Sequence, residues 1–300
     1  MKHIPVLTKE VLEALNPKPN ENFIDCTVGQ GGHAKLILEK TGPNGKLLGI
    51  DLDPEQIKNC KELLKVFENR LFLVNDSYAN LEDILKNNNF EKISGVLLDL
   101  GMSSWQLEES GKGFSFQADQ PLDMRYDQKR NDLTAEIIVN EWLEEKIEKI
   151  ISEYGEEKFS RKIAKKIIDQ RNPSTGSGQR IKTTFELVEI IKDATPSFYW
   201  HSKIHYATRT FQALRIAVNG ELDSLQKALP QIISILRPGG RIAVISFHSL
   251  EDRIAKQFLR NKEKEGLLKI LTKKPVIALD NEHRDNPRAR SAKLRVAIKL

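Results

Sequence analysis

The 300-residue chain is 39% hydrophobic and 30% charged, a composition typical of a globular protein with a buried core. Its apolar runs fall short of the roughly 20 residues that a bilayer span requires, and Lys9, Glu10 and Glu13 interrupt the N-terminal one, so we expect a short helix there rather than a secretory signal. The 2 cysteines lack metal-ligand spacing, which argues against a disulfide framework and structural zinc and favours the cytoplasm. A formal net charge of +5 favours an anionic partner only weakly.

Short apolar runs alternate with helical patterns over the first 100 residues. The predicted strands are residues 23–26, 47–51, 71–76 and 95–100. The clearest helix begins at Asp53, an N-cap residue followed by Pro54 at the first helical position. Its predicted apolar side carries Ile57, Leu63, Leu64 and Phe67. This alternation predicts parallel strands with helices on both faces of the sheet.

Helical periodicity replaces the β pattern from about residue 106 to 208. Thr183 to Glu186 fits a capping box, and an apolar stripe at helical spacing follows it. The α/β pattern then resumes, with predicted strands at 241–247, after the turn Pro238-Gly239-Gly240, and at 294–299. We therefore predict an α/β protein with a Rossmann-like core and an inserted all-helical domain. The core would comprise residues 1–105 and 209–300, and the insert residues 106–208.

The stretch DCTVGQGGHAKL, residues 25–36, places three glycines between the first predicted strand and a helix. The first turn of an open α/β sheet needs glycine to bend tightly and to let a ligand approach the backbone. Gly29-x-Gly31-x-x-Ala34, with Asp51 ending the second strand, satisfies the loose form of the dinucleotide fingerprint. An acidic residue at that strand end can hold the ribose hydroxyls of NAD or of S-adenosylmethionine. Both cofactors stay open here, as does a plain tight turn.

A second polar cluster follows the fourth predicted strand, where Asp99 precedes Gly101, Ser103 and Ser104. In methyltransferases that act on exocyclic amines, this strand end offers hydrogen-bond acceptors to the attacking nitrogen. An aromatic amine shares its lone pair with the ring, so acceptors that pyramidalise the nitrogen help it to attack a sulfonium methyl group. Asp99 could be such an acceptor or could hold the methionine amine of the cofactor. An N-cap or turn aspartate is the alternative.

The chain closely resembles the bacterial cytosine-N4 methyltransferases of 16S ribosomal RNA, the RsmH/MraW family. The matching stretches run in order through nearly the whole chain, at residues 3–7, 25–38, 47–54, 97–104, 113–125, 207–216, 238–253 and 286–295. One departure is Tyr206, which stands where the family pattern has proline and leaves the shape of that turn open.

The resemblance implies an S-adenosylmethionine-dependent enzyme that methylates N4 of a 16S rRNA cytidine without a metal. By position, the cofactor residues would be Gly31, Gly32, His33, Asp51, Tyr78, Asp99 and Gln106. Asp51 would take the ribose, Tyr78 would pack near the adenine, and Asp99 is the residue we predict to contact the reacting centre. The implied partner is 16S rRNA or the small ribosomal subunit, and the sequence leaves open whether the chain forms a homodimer.

The helical insert and the stretch after it carry cations and aromatic rings suited to RNA. Basic residues recur from Lys158 to Lys182, where Asp169 is the only acidic residue, and the spacings 161/165 and 162/166 predict a basic helix face. Phe198 to His201 is a candidate stacking platform. The predicted substrate-binding residues are Arg209, Gln212, Arg215 and Asn219, on one predicted helix, and His248, at the end of the strand 241–247. A solvated basic face, aromatic packing and hydrogen bonding between domains are the structural alternatives.

Two other functions stay open. An NAD-dependent dehydrogenase would share the glycine loop and Asp51, but it gives the basic insert and the Asp99 cluster no role. An rRNA-binding assembly factor with a vestigial catalytic core would share every feature, including cofactor binding.

Overall fold

The computed structural model describes residues 5–172, 174, 178–279, 282, 284 and 286–300, without the side chain of Ser104. The first two residues of the matching stretch 3–7 thus lie outside the described part. The chain divides into a core unit, Met1–Ser103 with Leu222–Leu300, and a helical unit, Ser104–Glu221. No helix of the described residues is long and apolar enough to cross a membrane.

An eight-stranded sheet forms the centre of the described core unit. Its strands are β1 (Asn22–Asp25), β2 (Leu47–Asp51), β3 (Leu71–Asn75), β4 (Ile93–Asp99), β5 (Leu236–Ser246), β6 (Leu268–Ile270), β7 (Val276–Ile277) and β8 (Lys293–Lys299). They lie in the order β3-β2-β1-β4-β5-β8-β6, and β7 also pairs with β8. Strands β1 to β5 are parallel, whereas β8 runs antiparallel to its three neighbours.

The helices alternate with these strands in the core unit and follow one another in the helical unit. The core unit contains α1 (Thr8–Leu15), α2 (Gly32–Thr41), α3 (Pro54–Leu63) and α4 (Leu81–Asn88). The helical unit contains α5 (Ser104–Glu108), α6 (Ala135–Glu141), α7 (Glu144–Gly155), α8 (Ser160–Arg171), α9 (Thr184–Ala194), α10 (Ser197–Trp200) and α11 (Thr208–Asn219). The chain returns to the core unit through α12 (Glu221–Ile235), and α13 (Ser249–Lys264) follows β5.

Successive residues of the strands pack on opposite faces of the sheet. Phe23 and Leu97 belong to one apolar cluster, while Ile24 and Val96 belong to the other. Because side chains alternate along a strand, two such clusters mean that helices cover both faces. The predicted α/β core with a helical insertion is therefore confirmed.

Local signals placed several elements correctly. Strand β2 has the predicted bounds, and Asp53 caps α3 by accepting a hydrogen bond from the backbone N–H of Glu55. The capping box at Thr183 and Glu186 is present in α9. The assignment of Leu63 to the buried side of α3 was wrong, because the side chain is 64% exposed.

Two features of the chain after α10 differ from the sequence prediction. The helical unit ends at Glu221 rather than at residue 208, because α11 packs against α6 and α7. The predicted turn Pro238-Gly239-Gly240 lies inside β5, where the register with β4 shifts. Ile93 pairs with Leu236, but Gly95 pairs with Arg241, so the turn forms a bulge in a continuous strand.

Candidate active site

The glycine loop joins β1 to α2 at the carboxyl edge of the sheet. Gly29 and Gly31 have φ values of +50° and +84°, which side chains rarely permit. A Cβ atom on Gly31 would also lie 2.6 Å from Leu64 Cδ1 and 2.9 Å from Cys60 Sγ. Gly31 is therefore required both by its backbone conformation and by the packing of the segment around Cys60 and Leu64 beneath it.

Asp51 at the end of β2 holds this loop in place. Its Oδ2 accepts a hydrogen bond of 2.9 Å from the backbone N–H of Gly29, and its Oδ1 accepts one of 2.9 Å from Asp53. A carboxylate oxygen can accept more than one hydrogen bond, so both oxygens can still receive hydroxyl groups. Asp51 therefore supports the loop and offers acceptors at the strand end where a ribose was predicted.

Thr27 joins the ends of β1 and β4. Its Oγ1 accepts a 2.7 Å hydrogen bond from the backbone N–H of Asp99, and its own N–H donates to Asp25 Oδ1 at 3.2 Å. The glycine loop and Asp99 are consequently neighbours at the same sheet edge, as predicted for parallel strands. Sequence reasoning missed Thr27 and Asp25, although both lie beside the glycines in the stretch DCTVG.

Asp99 lies beside His33, the second residue of α2. Asp99 Oδ2 is 3.6 Å from His33 Nε2, and the two side chains are 19% and 5% exposed. Within the described structure, the buried Oδ1 of Asp99 has no hydrogen-bond partner. An acceptor oxygen of this kind is suited to an ammonium or amine group of a ligand.

Three carboxyl groups share this edge, and each has a raised pKa. Burial raises the pKa of Asp25 and of Asp51 to about 7. Burial, followed by the charges of Asp25 and Glu251, raises the pKa of Asp99 to about 8. A positively charged ligand would stabilise the ionised forms of these groups, whereas the pyrophosphate of NAD would be repelled by them. These hydrogen-bond acceptors therefore fit S-adenosylmethionine, with its sulfonium and amine, better than they fit a dinucleotide.

The segment after β5 supports the same edge. A Cβ on Gly101 would lie 2.5 Å from the ring of Phe247, so the two strand ends are in close contact. The buried Glu251 accepts hydrogen bonds from the backbone N–H groups of Phe247 and His248 at 2.8 and 3.3 Å. His248 Nε2 lies 3.0 Å from Glu251 Oε1. The structure thus gives His248 a position at the start of α13, and its predicted contact with substrate stays a prediction.

All 300 residues match a family model described as the MraW methylase family. The chain belongs to this family. Relatives named ribosomal RNA small subunit methyltransferase H include one from Brevibacillus brevis, 45% identical over 99% of this chain and 98% of the relative. Another, from Thermotoga neapolitana, is 47% identical over 98% of this chain and 95% of the relative. The predicted membership of the RsmH/MraW family is therefore confirmed.

The remaining cofactor positions of this MraW family member lie on different elements. Gly32 begins α2, and a Cβ on it would lie 2.8 Å from Pro5 Cγ. Tyr78 begins the 3₁₀ turn after β3 and packs, partly buried, against an apolar cluster of the sheet. Gln106 belongs to the helical unit, where it is buried and its carbonyl oxygen accepts a 2.6 Å hydrogen bond from Ser110. The cofactor contacts of these residues stay predictions.

Two predicted substrate residues attach α11 to α7 within the helical unit. Arg209 donates to the backbone carbonyl of Glu156, and Gln212 donates to that of Tyr154 at 2.8 Å. The backbones approach closely, since a Cβ on Gly155 would lie 2.6 Å from the carbonyl oxygen of Arg209. These polar side chains therefore cap the end of α7.

Asn219 contacts the loop that contains Met124 and Tyr126 directly, and Arg215 pairs with Glu221, which accepts a 3.2 Å hydrogen bond from the Tyr126 hydroxyl. Arg215 makes two 2.8 Å hydrogen bonds to Glu221, and both side chains are 12% exposed. Asn219 donates to the carbonyl of Met124 at 2.8 Å and accepts from the N–H of Tyr126 at 3.0 Å. Met124 itself has a φ of +59°, a conformation that these hydrogen bonds help to maintain. The contacts support the structural alternative for α11 and leave substrate binding as a prediction.

Two members of the predicted stacking platform, Phe198 and His201, are exposed. Phe198 is 68% exposed, with Lys158 Nζ 5.7 Å from its ring centre. Tyr199 donates to Glu157 at 2.6 Å, and Trp200 donates to the Thr195 hydroxyl at 3.1 Å. Tyr199 and Trp200 therefore have structural roles, so Phe198 and His201 are the members best placed to stack on a nucleobase.

The predicted basic stretch from Lys158 to Lys182 is partly used for packing. Arg171 donates to the carbonyl groups of Val139 and Trp142, at the end of α6. Arg180 forms ion pairs with Glu136 and Glu141 at 3.4 and 3.1 Å. Glu136 and Glu141 lie 44 and 39 residues from Arg180 in the chain, so the free positive charge of this stretch is smaller than its sequence suggests.

Proposed function

We propose that this chain transfers a methyl group from S-adenosylmethionine to N4 of a cytidine in 16S rRNA. The observation that carries the proposal is the shared sheet edge of β1, β2 and β4, where the glycine loop, Asp51 and Asp99 lie together. The names and near-complete coverage of the relatives support the rRNA substrate. Since rRNA is the substrate, we place the reaction in the cytoplasm.

The chain's own residues would hold the cofactor at three points. The Gly29 to Gly31 turn lets a ligand approach the backbone, and Asp51 accepts hydrogen bonds from the ribose hydroxyls. Tyr78 packs beside the adenine. When bound, S-adenosylmethionine supplies a methyl group activated by a sulfonium.

Asp99 is placed to act on the amine. Its partnerless Oδ1 accepts a hydrogen bond from the N4 amino group, which orients the nitrogen lone pair toward the methyl carbon. Bound S-adenosylmethionine would supply the methyl group to N4 and leave as the thioether, and N4 would then lose one proton. Burial raises the pKa of Asp99 to about 8, so the ligand-free group is mostly protonated at neutral pH. The positive charge of bound S-adenosylmethionine would lower that pKa, and the ionised carboxylate could then take up the proton.

The target base must be unpaired or flipped, because N4 of a paired cytosine is engaged in base pairing. Phosphate and base contacts would come from cations and from exposed rings such as Phe198. Arg209, Gln212, Arg215, Asn219 and His248 are the proposed substrate residues, although each also has the structural contacts described above.

The test compares 16S rRNA from a strain that lacks this gene with 16S rRNA from the complemented strain, by mass spectrometry. We expect one cytidine to lose one methyl group in the deletion strain and to regain it on complementation. Complementation with Asp99→Asn should fail, whereas Asp83→Asn, a change to an exposed carboxylate of α4, should succeed. Identical methylation in the deletion and complemented strains would favour the assembly-factor function instead.

A further inference from the structure

A basic groove lies between α13 and the strands β6 and β8, entirely within the core unit. Its volume is about 310 Å³. The polar residues that line it are Lys256, Arg260, Glu263, Thr272, Lys273 and Arg295. Arg260 and Lys273 are exposed and Lys256 is half-buried, so the cations border an opening to solvent.

The groove has unbalanced positive charge. Arg295 is neutralised by Asp252, with nitrogen–oxygen distances of 2.6 and 3.1 Å. By contrast, Lys256, Arg260 and Lys273 form no ion pair with any residue in the part of the chain that the structure describes. Glu263 is the only acidic residue among those that line the groove, and it accepts a 2.8 Å hydrogen bond from the N–H of Ile270. The groove therefore contains three cations without an ion pair among the described residues, and one carboxylate.

The donors of the groove are suited to phosphate and to little else. The Thr272 hydroxyl accepts a hydrogen bond from the N–H of Val296 at 2.9 Å, which leaves its own O–H free to donate. Among the lining residues, none is aromatic and none carries a side-chain amide, so the groove offers no means to stack on a base or to read its edge. Cations and hydroxyl groups that lack base contacts bind the nucleic-acid backbone without reading sequence.

The position of the groove separates it from the reaction pocket. Helix α13 begins at Ser249, directly after Phe247 and His248 at the end of β5. At 1.5 Å per residue, Lys256 and Glu263 lie roughly 10 and 20 Å further along the helix axis. An RNA phosphate bound at that distance would belong to a nucleotide several positions from a base held at the sheet edge.

We propose that this groove binds the phosphodiester backbone of the RNA substrate at a distance from the methylated base. The proposal rests on the proposed function, since it takes the same RNA as its ligand. The groove would add affinity and register without selecting a sequence, and chemistry at the target base would not depend on it.

The test compares two triple variants of the full chain. K256A/R260A/K273A removes the uncompensated groove cations. K58A/K61A/K65A removes the same charge from three exposed lysines on and just after α3, which also lack an ion pair among the described residues. Both proteins are checked for unchanged thermal unfolding and for calorimetric binding of S-adenosylmethionine. Binding to a 16S rRNA fragment is then measured by fluorescence anisotropy over a series of salt concentrations.

We expect the groove variant to bind RNA about 10 to 100 times more weakly at moderate salt, with a salt slope smaller by about 2 to 3. Its KM for RNA should rise by the same factor, while kcat at saturating RNA stays unchanged. The α3 variant should stay within about threefold of the wild type. Equal losses in the two variants, or no loss in the groove variant, would overturn the proposal.

The two proposals can fail separately. If the wild-type protein methylates the RNA but the groove variant binds it normally, the groove proposal is overturned and the proposed function stands. If the wild type methylates no RNA although the groove variant alone loses RNA affinity, the proposed function is overturned and the RNA-binding groove is supported. A loss confined to the binding of inorganic phosphate, with RNA affinity unchanged, would overturn the groove proposal.

Discussion

Gly29 and Asp51 are joined by a 2.9 Å hydrogen bond from the backbone N–H of the loop to the carboxylate at the end of β2. The residue proposed to hold the ribose therefore also fixes the loop that the cofactor must approach. Substitutions of Asp51 should therefore affect ribose binding and the loop conformation together, because the same two oxygen atoms make both sets of hydrogen bonds.

Asp51→Asn should weaken binding of S-adenosylmethionine about 10-fold to 100-fold. The amide keeps the size of the side chain, but its NH₂ group would face the N–H of Gly29 or of Asp53 and would lose a charge-assisted hydrogen bond. Isothermal titration calorimetry measures the change, with Asp83→Asn as the control. Equal affinities for the wild type and for Asp51→Asn would contradict the proposed ribose contact.

Gly31→Ala should lower the free energy of unfolding by about 1–3 kcal/mol, because the methyl group meets Leu64 and Cys60 at a positive φ. Gly42→Ala is the matched control, since its φ is −54° and no atom lies within 4 Å of the added Cβ. Urea denaturation followed by circular dichroism gives both values. In a Leu64→Ala background, whose own loss of stability is measured separately, Gly31→Ala should cost less because one contact is relieved, but the positive φ should keep a cost. No cost of Gly31→Ala in that background would show that φ is unimportant here.

The ligand-free protein should lose stability as the pH rises from about 4 to about 8. The pKa values of Asp25, Asp51 and Asp99 are raised from 3.8 to about 7, 7 and 8, so in this range the folded chain binds more protons than the unfolded chain. The stability that these three groups contribute is fully present below pH 3.8, the pKa of the unfolded chain. It is lost as the pH rises through their folded pKa values of about 7 to 8.

Asp99→Asn tests the sign of this dependence. It removes one of the three groups, so its free energy of unfolding should fall less steeply, with a relative gain of about 1–3 kcal/mol between pH 5 and pH 8.5. Urea titrations at several pH values check this, with Asp83→Asn expected to follow the wild type. A curve for Asp99→Asn parallel to that of the wild type would mean that Asp99 titrates normally.

Asn219→Ala distinguishes packing from substrate binding on α11. The change leaves the carbonyl of Met124 and the N–H of Tyr126 without these partners, so the helical unit should lose about 1–3 kcal/mol of stability. Binding of S-adenosylmethionine to the core unit should not change. Unaltered denaturation together with weaker RNA binding would instead support the predicted substrate contact.

Local sequence signals accounted for the elements whose ends are set by neighbouring residues. Strand β2 is a short apolar run, and the cap of α3 needs only Asp53 and Pro54. The reversed direction of β8 was beyond such reasoning, because an apolar run of this length fits a strand of either direction. The bulge at Pro238 to Gly240 likewise depends on the partner strand β4.

The sequence predicted the site residues that belong to a recognisable motif. It did not predict the properties that depend on residues brought close by the fold. Gly31, Asp51 and Asp99 stood out as glycines and strand-end carboxylates. The raised pKa of Asp99 and the bridging role of Thr27 arise from the order of β1 and β4 in the sheet, which the spacing of residues does not reveal. The same holds for α11, whose polar residues matched a nucleotide-binding pattern and also meet carbonyl groups of α7.

Strand β4 ends at Asp99, whereas its neighbour β5 begins only at Leu236, beyond the whole helical unit. During synthesis on the ribosome, Asp99 therefore emerges long before the strand that will lie beside it, and the middle of the sheet stays open until the insertion has been translated. Contacts so distant in sequence form slowly, which gives the helices between them time to fold first. The sheet edge that carries the candidate site would then be among the last parts of the newly synthesised chain to fold.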